Sequence, residues 1–518
     1  MRWVVAASLA GALAGALGAA AGGARTLLGL KGPEPERDQG PLDLGAFPIR
    51  LTPGPEGVQI AEQARFQHVE ILGSSGTGKN YHGLLPMIHQ DIVRGAGVLV
   101  IDPKGAMRNQ VTAWARACGR AQDLRCLDLA DPSCSGTWNP FLGDDPLLVA
   151  ERVHAALYAE DATATSFYRD TALGFFHLFF SLCRSLGELP TPDQLRQVAM
   201  DQAALGRLAL RAPASREARE WRVLLLRQSP LEYARSLQGV VNALTPLCSG
   251  ALAPLFNTAS PAIDLGEVLW RSGILYAGLA SDQYPSLSRR VGTLLLTTLH
   301  ADMTRRYASP GPPAFLYLDE FADLVYPEVR ALVAKAREAR VGITLAHQSL
   351  GDLARHGRAI ADAIFENTSN KVLLRIGSAD SAEVLARLSG GGAGAFRRGL
   401  AVQAGGVRGP LRPRTLAPSG ARDAAFDTDA LMDLAVGEAF LVVQRPWGRE
   451  LFRGRLSTAP ESALPADAEP WAPQAAGPAR RPLVLAAGAL EEGPASGPRT
   501  PLAEAALARM RRGRARGA

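Results

Sequence analysis

The sequence has few cysteines, and no two of them are spaced as they are in zinc or redox sites. The 518 residues include Cys118, Cys126, Cys134, Cys183 and Cys248. No pair has the C-x-x-C spacing of a zinc or thiol–disulfide motif. These absences argue against a zinc-ribbon or disulfide-stapled scaffold and favour buried thiols in a reducing compartment.

The sequence also lacks an internal repeat and a strong net charge of either sign. The formal net charge is +6 at pH 7, and 47% of the residues are apolar and 20% charged. This is the balance of an ordinary globular protein, with room for two or three domains. The mild basicity permits a nucleic-acid partner without requiring one.

Short apolar runs alternate with longer helical stretches over most of the chain. Uninterrupted runs of this length are typical of buried strands in a mostly parallel sheet. Their alternation with helices predicts an α/β fold. The runs are residues 68–72, 97–101, 124–129, 274–279, 315–318, 343–346, 371–376 and 439–443.

The distribution of these runs predicts six segments. Between the third and fourth runs the sequence shows no convincing strand, so we interpret this part as an all-α domain inserted into the sheet domain. Pro and Ala dominate the end of the chain, which predicts disorder there. The segments are a membrane anchor (1–30), a linker (31–60), the first part of the sheet domain (61–143), the inserted all-α domain (144–255), the second part of the sheet domain (256–458) and a disordered basic tail (459–518).

The sequence GSSGTGK follows the first apolar run and precedes a predicted helix, the context of a P-loop. Its glycines let the backbone turn tightly, so that N–H groups converge on phosphate oxygens. The following helix adds its positive end, and the lysine reaches the terminal phosphates as a point charge. The candidate nucleotide-binding residues are Gly73, Ser74, Ser75, Gly76, Thr77, Gly78, Lys79 and Asn80.

Two positions are candidate magnesium ligands. Asn80 stands where a P-loop usually has Ser or Thr, whose hydroxyl binds the ion. Its amide oxygen is a weaker ligand, and a water molecule is the alternative. Asp319 follows the apolar run AFLYL, and a strand beside the P-loop would place its carboxylate where it can hold magnesium through water. Glu320 would then orient and polarise the attacking water.

Three further residues are catalytic candidates. Gln348 ends the run GITLAHQ, and at the tip of a neighbouring strand it could bind the γ-phosphate and sense its loss. The alternative is an ordinary polar residue at a strand end. Arg337 or Arg340 could reach the ATP of an adjacent subunit as an arginine finger, the alternative being a solvated helix face.

One long uncharged run stands at residues 3–24. As a helix it would be roughly 33 Å long, enough to cross the core of a bilayer. A cleaved signal peptide has similar features, but export would separate the nucleotide site from ATP, which favours a retained anchor. Arg25, Lys31 and Arg37 then keep the main body in the cytoplasm.

Five motifs together resemble the type IV secretion coupling proteins of the TraG/TraD group. They occur in the order of that family, and the resemblance covers most of the chain. IDPKG and LDEFADL in combination are fairly specific. The motifs are VLVIDPKGA at residues 98–106, TWNPF at 137–141, LYLDEFADL at 316–324, HQSLGDL at 347–353 and ENTSNKVLLRI at 366–376.

The resemblance implies a fold, a mechanism and partners. The fold would be a RecA-like P-loop NTPase domain with an inserted all-α domain and an N-terminal transmembrane helix. The protein would be a ring-shaped homo-hexamer at the bacterial inner membrane that uses ATP and Mg²⁺. Its partners would be components of a type IV secretion channel and, as cargo, a relaxase–single-stranded DNA complex or effector proteins. The family often has two transmembrane helices, whereas this chain has one candidate.

An interval without Asp or Glu lies between Glu383 and Asp423. It is rich in Gly, which predicts a mobile loop. Either it is a solvated surface loop, or it faces the channel of the ring and follows the phosphates of a DNA strand. Its arginines are Arg387, Arg397, Arg398, Arg408, Arg412, Arg414 and Arg422.

Two other functions fit parts of the sequence. A DNA pump of the FtsK or HerA kind shares the P-loop and the acidic strand, but it would carry a DNA-reading domain where this chain is rich in Pro and Ala. A non-hydrolysing adaptor would use bound nucleotide for structure alone. Asn80 favours the adaptor, whereas Lys79, Asp319 and Glu320 favour hydrolysis.

Overall fold

The computed structural model describes residues 43–54, 57–158, 166–212, 216–390, 400–401, 428–461 and 476–485. The chain divides into two units, Met1–Asp43 and Leu44–Ala518, and all elements named below lie in the second. The predicted membrane anchor lies outside the described residues. So do most of the arginine-rich interval and the last part of the predicted tail.

The described residues form a large sheet of ten strands and a small sheet of two. Each of the eight predicted apolar runs forms a strand. The strands are β1 (Ile49–Arg50), β2 (Gln59–Ile60), β3 (Val69–Leu72), β4 (Gly97–Asp102), β5 (Leu124–Asp128), β6 (Ile274–Gly278), β7 (Ala314–Leu318), β8 (Val341–His347), β9 (Asn370–Leu373), β10 (Leu400–Ala401), β11 (Glu438–Arg445) and β12 (Gly448–Arg455).

The large sheet has the strand order β10-β12-β11-β9-β3-β8-β7-β4-β6-β5. The strands from β9 to β5 in this order run parallel, whereas β11 pairs antiparallel with β9 and β12. Consecutive residues of β4, Val98 and Leu99, enter different hydrophobic clusters. Both faces of the sheet are therefore covered, as expected for parallel strands that read as continuous apolar runs.

Helices connect the strands and fill the long interval between β5 and β6. A π-helical turn, Lys79–Leu84, begins at the last residue of the P-loop sequence. The helices are α1 (Glu62–Arg65), α2 (Leu85–Arg94), α3 (Arg108–Ala117), α4 (Pro146–Leu157), α5 (Ser166–Leu186), α6 (Pro192–Met200), α7 (Gln202–Arg211), α8 (Arg216–Arg227), α9 (Pro230–Leu244), α10 (Ala253–Phe256), α11 (Leu265–Arg271), α12 (Pro285–Arg305), α13 (Val329–Ala336), α14 (Leu350–Ala354), α15 (Arg358–Asn367), α16 (Ala379–Gly390) and α17 (Thr428–Met432).

The helical interval between β5 and β6 has clear local start signals. Asp145 caps α4 by accepting the backbone N–H groups of Leu147 and Leu148. Thr191 and Ser229 begin α6 and α9 with capping boxes, each followed by a proline at the first helical position. The helices share a hydrophobic cluster with strands of the sheet. The boundaries of a separate all-α domain stay a prediction.

Part of the segment predicted to be a disordered tail packs against this helical interval. Leu189 donates its N–H to the carbonyl oxygen of Arg481 at 2.8 Å, and Leu483 donates to Leu189 at 3.2 Å. Leu483 is buried, and the buried carboxylate of Glu188 pairs with Arg481. One buried leucine and a few backbone bonds give no periodic pattern, so composition did not reveal this contact.

Among the described residues, no single helix combines the length and the hydropathy that crossing a membrane requires. One pair of helical segments, Pro230–Leu247 and Gly250–Phe256, meets that requirement together, with a bend of 83° between them.

Candidate nucleotide site

The P-loop sequence lies at the carboxyl end of β3, between the ends of β8 and β9. The N–H of Gly73 donates to the carbonyl oxygen of His347 at 3.4 Å, and that of Ser74 donates to Arg375 at 2.9 Å. The Ser74 hydroxyl accepts the N–H of Gly377 at 2.7 Å. The loop is thus fastened to the two strands beside it.

Geometry requires three glycines of this loop. Gly76 and Gly78 have φ angles of 73° and 91°, in the left-handed region that glycine adopts at little cost. A Cβ atom on Gly73 would lie 2.7 Å from the Thr77 hydroxyl and 2.8 Å from Leu374. Two of these glycines are therefore needed for the backbone turn, and the third for a close approach.

Lys79 begins the π-helical turn and is buried. Its Nζ donates to the carbonyl oxygens of Gly73 at 2.6 Å and Ser74 at 3.2 Å, while Ser75 is exposed. Burial lowers the pKa of Lys79, and the nearby carboxylates of Glu320 and Asp319 oppose that effect. A cation held at the loop, beside backbone N–H groups at a helix start, suits an anionic ligand.

Asp319 directly follows β7 and lies beside Asn80. The Asn80 amide nitrogen, Nδ2, donates to Asp319 Oδ2 at 2.7 Å, which leaves the amide oxygen available as a ligand. Burial raises the pKa of Asp319 to about 6, an effect to which Glu320 and Asp102 add and which Asn80 opposes. A buried carboxylate of this kind gains from a cation placed next to it.

The Asn80–Asp319 pair fits magnesium in its donor chemistry. Among the described residues, no group of three or more His, Cys, Asp or Glu is placed to hold a metal ion. Magnesium keeps several waters and is usually bound by one or two protein oxygens together with substrate phosphates. One carboxylate and one amide oxygen beside the P-loop are therefore a sufficient set.

Glu320 is held by two donors and by an unusual backbone. Its φ of 43° lies in the left-handed region, which costs energy for a residue with a side chain and is often found at functional sites. Lys104 Nζ donates to Glu320 Oε1 at 2.8 Å, and Gln348 Nε2 donates to Oε2 at 3.3 Å. Burial alone would raise the pKa of Glu320, but these donors lower it overall. The carboxylate is therefore held ionised.

Lys104 belongs to this site although it was not among the residues predicted from the sequence. It lies in the turn after β4, where Asp102 accepts the backbone N–H groups of Lys104, Gly105 and Met107. Because β4 and β7 are parallel neighbours, their carboxyl ends adjoin and Lys104 reaches Glu320. The sequence offered one signal, an Asp-Pro-Lys-Gly turn after an apolar run. The pairing of β4 with β7, which brings Lys104 to Glu320, could not be predicted from it.

Arg337 and Arg340 lie at the opposite end of the sheet. Both stand in the turn between α13 and β8, whereas Gln348 follows the other end of β8. The seven residues of β8 span roughly 23 Å at about 3.3 Å each, so neither arginine reaches the P-loop of its own chain. Arg340 Nη2 donates to Glu62 Oε1 at 3.2 Å. Action on a neighbouring subunit stays a prediction.

A family model matches residues 313–394, and its description is the TraM recognition site of TraD and TraG. The matched residues include Asp319, Glu320 and Gln348, with the strands β7 to β9 on which these side chains are placed. No curated protein matches the chain in sequence.

Solved structures of a plasmid coupling protein have a similar fold. TrwB in complex with ADP and Mg²⁺ has a TM-score of 0.56 and 15% identity, with 81% of this chain and 90% of that chain covered. TrwB with the GTP analogue GDPNP gives 0.55 and 15%, with 80% and 90% covered. The trigonal form of TrwBdeltaN70 with sulphate gives 0.57 and 14%, with 83% and 96% covered.

At 14–15% identity, the similarity to these structures shows a shared fold. The similarity in sequence comes from the family model that matches residues 313–394. The shared fold is an α/β arrangement with the P-loop sequence at the carboxyl end of a mostly parallel sheet, which confirms the α/β class that the apolar runs predicted. The predicted resemblance of this chain to TraG/TraD-like conjugative coupling proteins is thereby confirmed.

Proposed function

We propose that this protein is a conjugative coupling ATPase, which hydrolyses ATP to drive relaxase-bound DNA or protein substrates into a type IV secretion channel. One observation carries the proposal: Lys79, Asn80, Asp319, Glu320 and Gln348 converge at one end of the sheet. They do so in a chain whose residues 313–394 match a segment of coupling proteins.

ATP and Mg²⁺ are the proposed ligands, as the sequence predicted. The TrwB structures of similar fold hold ADP with Mg²⁺ and a non-hydrolysable ATP analogue. In this chain the P-loop backbone and Lys79 would bind the phosphates, and Asn80 and Asp319 would hold the metal ion. When bound, the ion supplies positive charge that offsets the charge of the phosphates.

Glu320 would accept a hydrogen bond from the attacking water and hold it in line with the terminal phosphate. Lys104 and Gln348 keep the carboxylate in place, and its lowered pKa suits a group that orients and polarises water rather than a strong base. Gln348, which contacts Glu320, is placed to respond when the terminal phosphate leaves.

A hexameric ring would complete the site from outside the chain. Arg337 and Arg340 lie at the end of the sheet opposite to the P-loop, so an arginine finger from this turn requires an adjacent subunit. Arg340 already pairs with Glu62, which leaves Arg337 as the preferred finger. The proposal therefore includes a homo-hexamer.

The proposed setting is the cytoplasmic face of the inner membrane. Residues 1–30 would anchor the chain, and residues 144–255 would form the inserted all-α domain. Because the matched family segment is described as a TraM recognition site, a relaxosome protein of the TraM type is the proposed partner of residues 313–394. Channel components and DNA are further proposed partners.

The purified full-length protein tests the enzymatic part. Wild type is expected to hydrolyse ATP in a Mg²⁺-dependent way, and Lys79→Ala to lose about a hundredfold or more of that rate, because the cation at the terminal phosphates is gone. Nucleotide binding without hydrolysis by wild type would instead establish the non-hydrolysing adaptor that Asn80 favours.

A transfer assay tests the cellular part. Deletion of the gene should abolish conjugative transfer or effector export, and the Lys79→Ala variant should not restore it. Loss of chromosome or plasmid maintenance with unchanged transfer would instead indicate a DNA pump of the FtsK or HerA kind.

A further inference from the structure

A buried cluster of charged side chains lies next to the P-loop and joins β3, β8 and β9. Glu70 of β3 accepts from His347 Nε2 at 2.8 Å and from Lys371 Nζ at 2.5 Å. The Thr368 hydroxyl donates to the same carboxylate at 2.9 Å. The side chains of Glu70 and His347 are 0% exposed. The hydrolysis proposed above assigns no role to this cluster.

His347 faces an acceptor at each ring nitrogen. Nε2 contacts the Glu70 carboxylate, and Nδ1 lies 2.9 Å from the carbonyl oxygen of Ser349, which has no proton to donate. A neutral imidazole has one N–H and one lone pair. In a neutral ring, one of the two nitrogens would therefore face its oxygen acceptor with a lone pair instead of a proton. Both contacts are hydrogen bonds when both nitrogens carry a proton.

A proton on Glu70 in place of His347 does not fit its surroundings. Lys371 Nζ donates to Glu70 Oε2, and the Thr368 hydroxyl lies 2.9 Å from the same oxygen and from the carbonyl oxygen of Ile364, so its one proton is shared between these acceptors. Burial alone would raise the pKa of Glu70, but Lys371 and His347 hold it down to about 2. The carboxylate is therefore ionised, and it faces the Lys371 ammonium group and the His347 ring.

His68, which directly precedes β3, provides a contrast. It is also buried, but its Nδ1 accepts the N–H of Ile343 at 3.1 Å while its Nε2 donates to the carbonyl oxygen of Val333 at 2.7 Å. One acceptor and one donor match a neutral ring, and burial lowers the pKa of His68 to about 4. The two buried histidines thus differ in their partners: His68 faces one donor and one acceptor, whereas His347 faces two acceptors.

The side chain of His347 contacts the backbone on the far side of Gln348. His347 directly precedes Gln348, and its Nδ1 binds the carbonyl group of Ser349, which directly follows. The His347 carbonyl oxygen in turn accepts the N–H of Gly73, the first P-loop residue. The backbone on both sides of Gln348 is therefore tied to the P-loop strand, while the Gln348 side chain donates to Glu320.

We propose that His347 is a positioning residue of the nucleotide site: its doubly protonated ring couples the P-loop strand, through Glu70, to the segment that aims Gln348 at Glu320. Two cations around one carboxylate leave a net positive charge in the core, which is costly unless something offsets it. A polyphosphate bound at the adjoining loop is such an anion. The kinetic consequences rest on the proposed ATP hydrolysis, whereas the charge of the ring does not.

The charge of the ring is measured directly by NMR on the full-length protein labelled with ¹⁵N-histidine. The chain has eight histidines, few enough to resolve. At neutral pH, both ring nitrogens of His347 are expected to be protonated, and His68 is expected to show the neutral form with its proton on Nε2. A neutral His347 ring overturns the proposal. If no variant of His347 folds, assignment through the backbone amide of His347 keeps this measurement decisive.

Kinetics measure the positioning role. His347→Gln removes one of the two donors, so kcat for ATP is expected to fall about tenfold to hundredfold while the Kd of a non-hydrolysable ATP analogue changes little. In a Gln348→Ala background the same substitution should have no further effect on kcat. Independent, multiplying losses in the double variant overturn the proposal.

His68→Gln is the matched control, because it makes the same substitution at a buried histidine far from the nucleotide. It is expected to lower thermal stability and to leave kcat of the folded protein unchanged. Equal losses of kcat in His68→Gln and His347→Gln would make both histidines structural and overturn the positioning role. Absence of hydrolysis in wild type would refute the proposed function, and the NMR result would still decide the charge of His347.

Discussion

The two ends of the central sheet bury charged side chains in different ways. At the amino end, Arg65 of α1 forms a two-fold hydrogen-bonded pair with Asp91 of α2, at 2.8 and 2.6 Å. At the carboxyl end, Asp319 accepts from two neutral donors, the amide of Asn80 and the backbone N–H of Glu320, and Lys79 lies against backbone carbonyl groups. The buried pair at the amino end is matched within the fold, whereas Asp319 and Lys79 at the carboxyl end are held by neutral groups.

This difference separates stability from function. Arg65 and Asp91 have side-chain exposures of 3% and 0%, and Tyr317 donates a further hydrogen bond to the same carboxylate. This arrangement is complete without a ligand. The raised pKa of Asp319 and the left-handed backbone of Glu320 mark the other end as one where the fold tolerates a cost. A phosphate–metal ligand would offset that cost.

The largest expected effect comes from breaking the pair at the amino end. Arg65→Ala leaves Asp91 buried without its cation, which should lower the free energy of unfolding by about 3–5 kcal/mol. Denaturant unfolding measures this, and kcat of the remaining folded protein should hardly change. The double variant Arg65→Met/Asp91→Leu is the control, since removing both charges should cost much less. A larger loss in the double variant would contradict the interpretation.

At the carboxyl end, Glu320→Gln should lower kcat and leave stability nearly unchanged, the reverse of Arg65→Ala. The amide keeps the size of the side chain but no longer polarises water, so kcat should fall by roughly a hundredfold or more. Binding of an ATP analogue and the unfolding midpoint should stay close to wild type. A variant that hydrolyses ATP at the wild-type rate would remove Glu320 from the mechanism.

The sequence predicted the strands well because each buried strand is one continuous apolar run. It missed the two-residue strands β1, β2 and β10. It also missed β12, whose sequence GRELFRGR has only Leu451 and Phe452 as apolar residues and is a strand through its pairing with β11. The order of the strands was also beyond reach. That β8 lies between β3 and β7 depends on pairing between distant segments, for which no local pattern exists.

The residues of the site fall into the same two classes: those that a local sequence pattern reveals and those whose roles depend on strand pairing. Residues carried by a motif at a strand end, such as Asp319 and Gln348, were predicted from the sequence. Lys104 and His347 were not assigned, because their roles depend on which strands are neighbours. Lys104 meets Glu320 only if β4 lies beside β7, and His347 meets Glu70 only if β8 lies beside β3. The residues that flank Lys104 and His347 in the sequence do not indicate those pairings.

A smaller effect is expected at Asn80. Asn80→Thr replaces the amide with a hydroxyl that can donate to Asp319 and also bind Mg²⁺ as in an ordinary P-loop. We expect the Kd for Mg²⁺–nucleotide to tighten several-fold, on the order of 1 kcal/mol for one improved polar contact. Calorimetric titration measures it, with Asn80→Ala as a control that should weaken binding. Weaker binding in Asn80→Thr would indicate a differently built metal site.

The smallest effect is expected from Lys104, whose ammonium group lowers the pKa of Glu320 from an exposed position. Removing it in Lys104→Gln should raise that pKa, so the acid limb of the kcat/KM profile should move to higher pH. The shift should be less than about one pH unit, because an exposed ion pair contributes about 1 kcal/mol or less and one unit corresponds to about 1.4 kcal/mol. Well above the limb the two rates should nearly coincide, since Glu320 is ionised in both proteins. Lys104→Arg keeps the cation and should keep the wild-type limb. A limb that stays in place in Lys104→Gln would show that Gln348 and Lys79 hold Glu320 ionised against the effect of burial, and that the carboxyl end of the sheet needs no cation from the turn after β4.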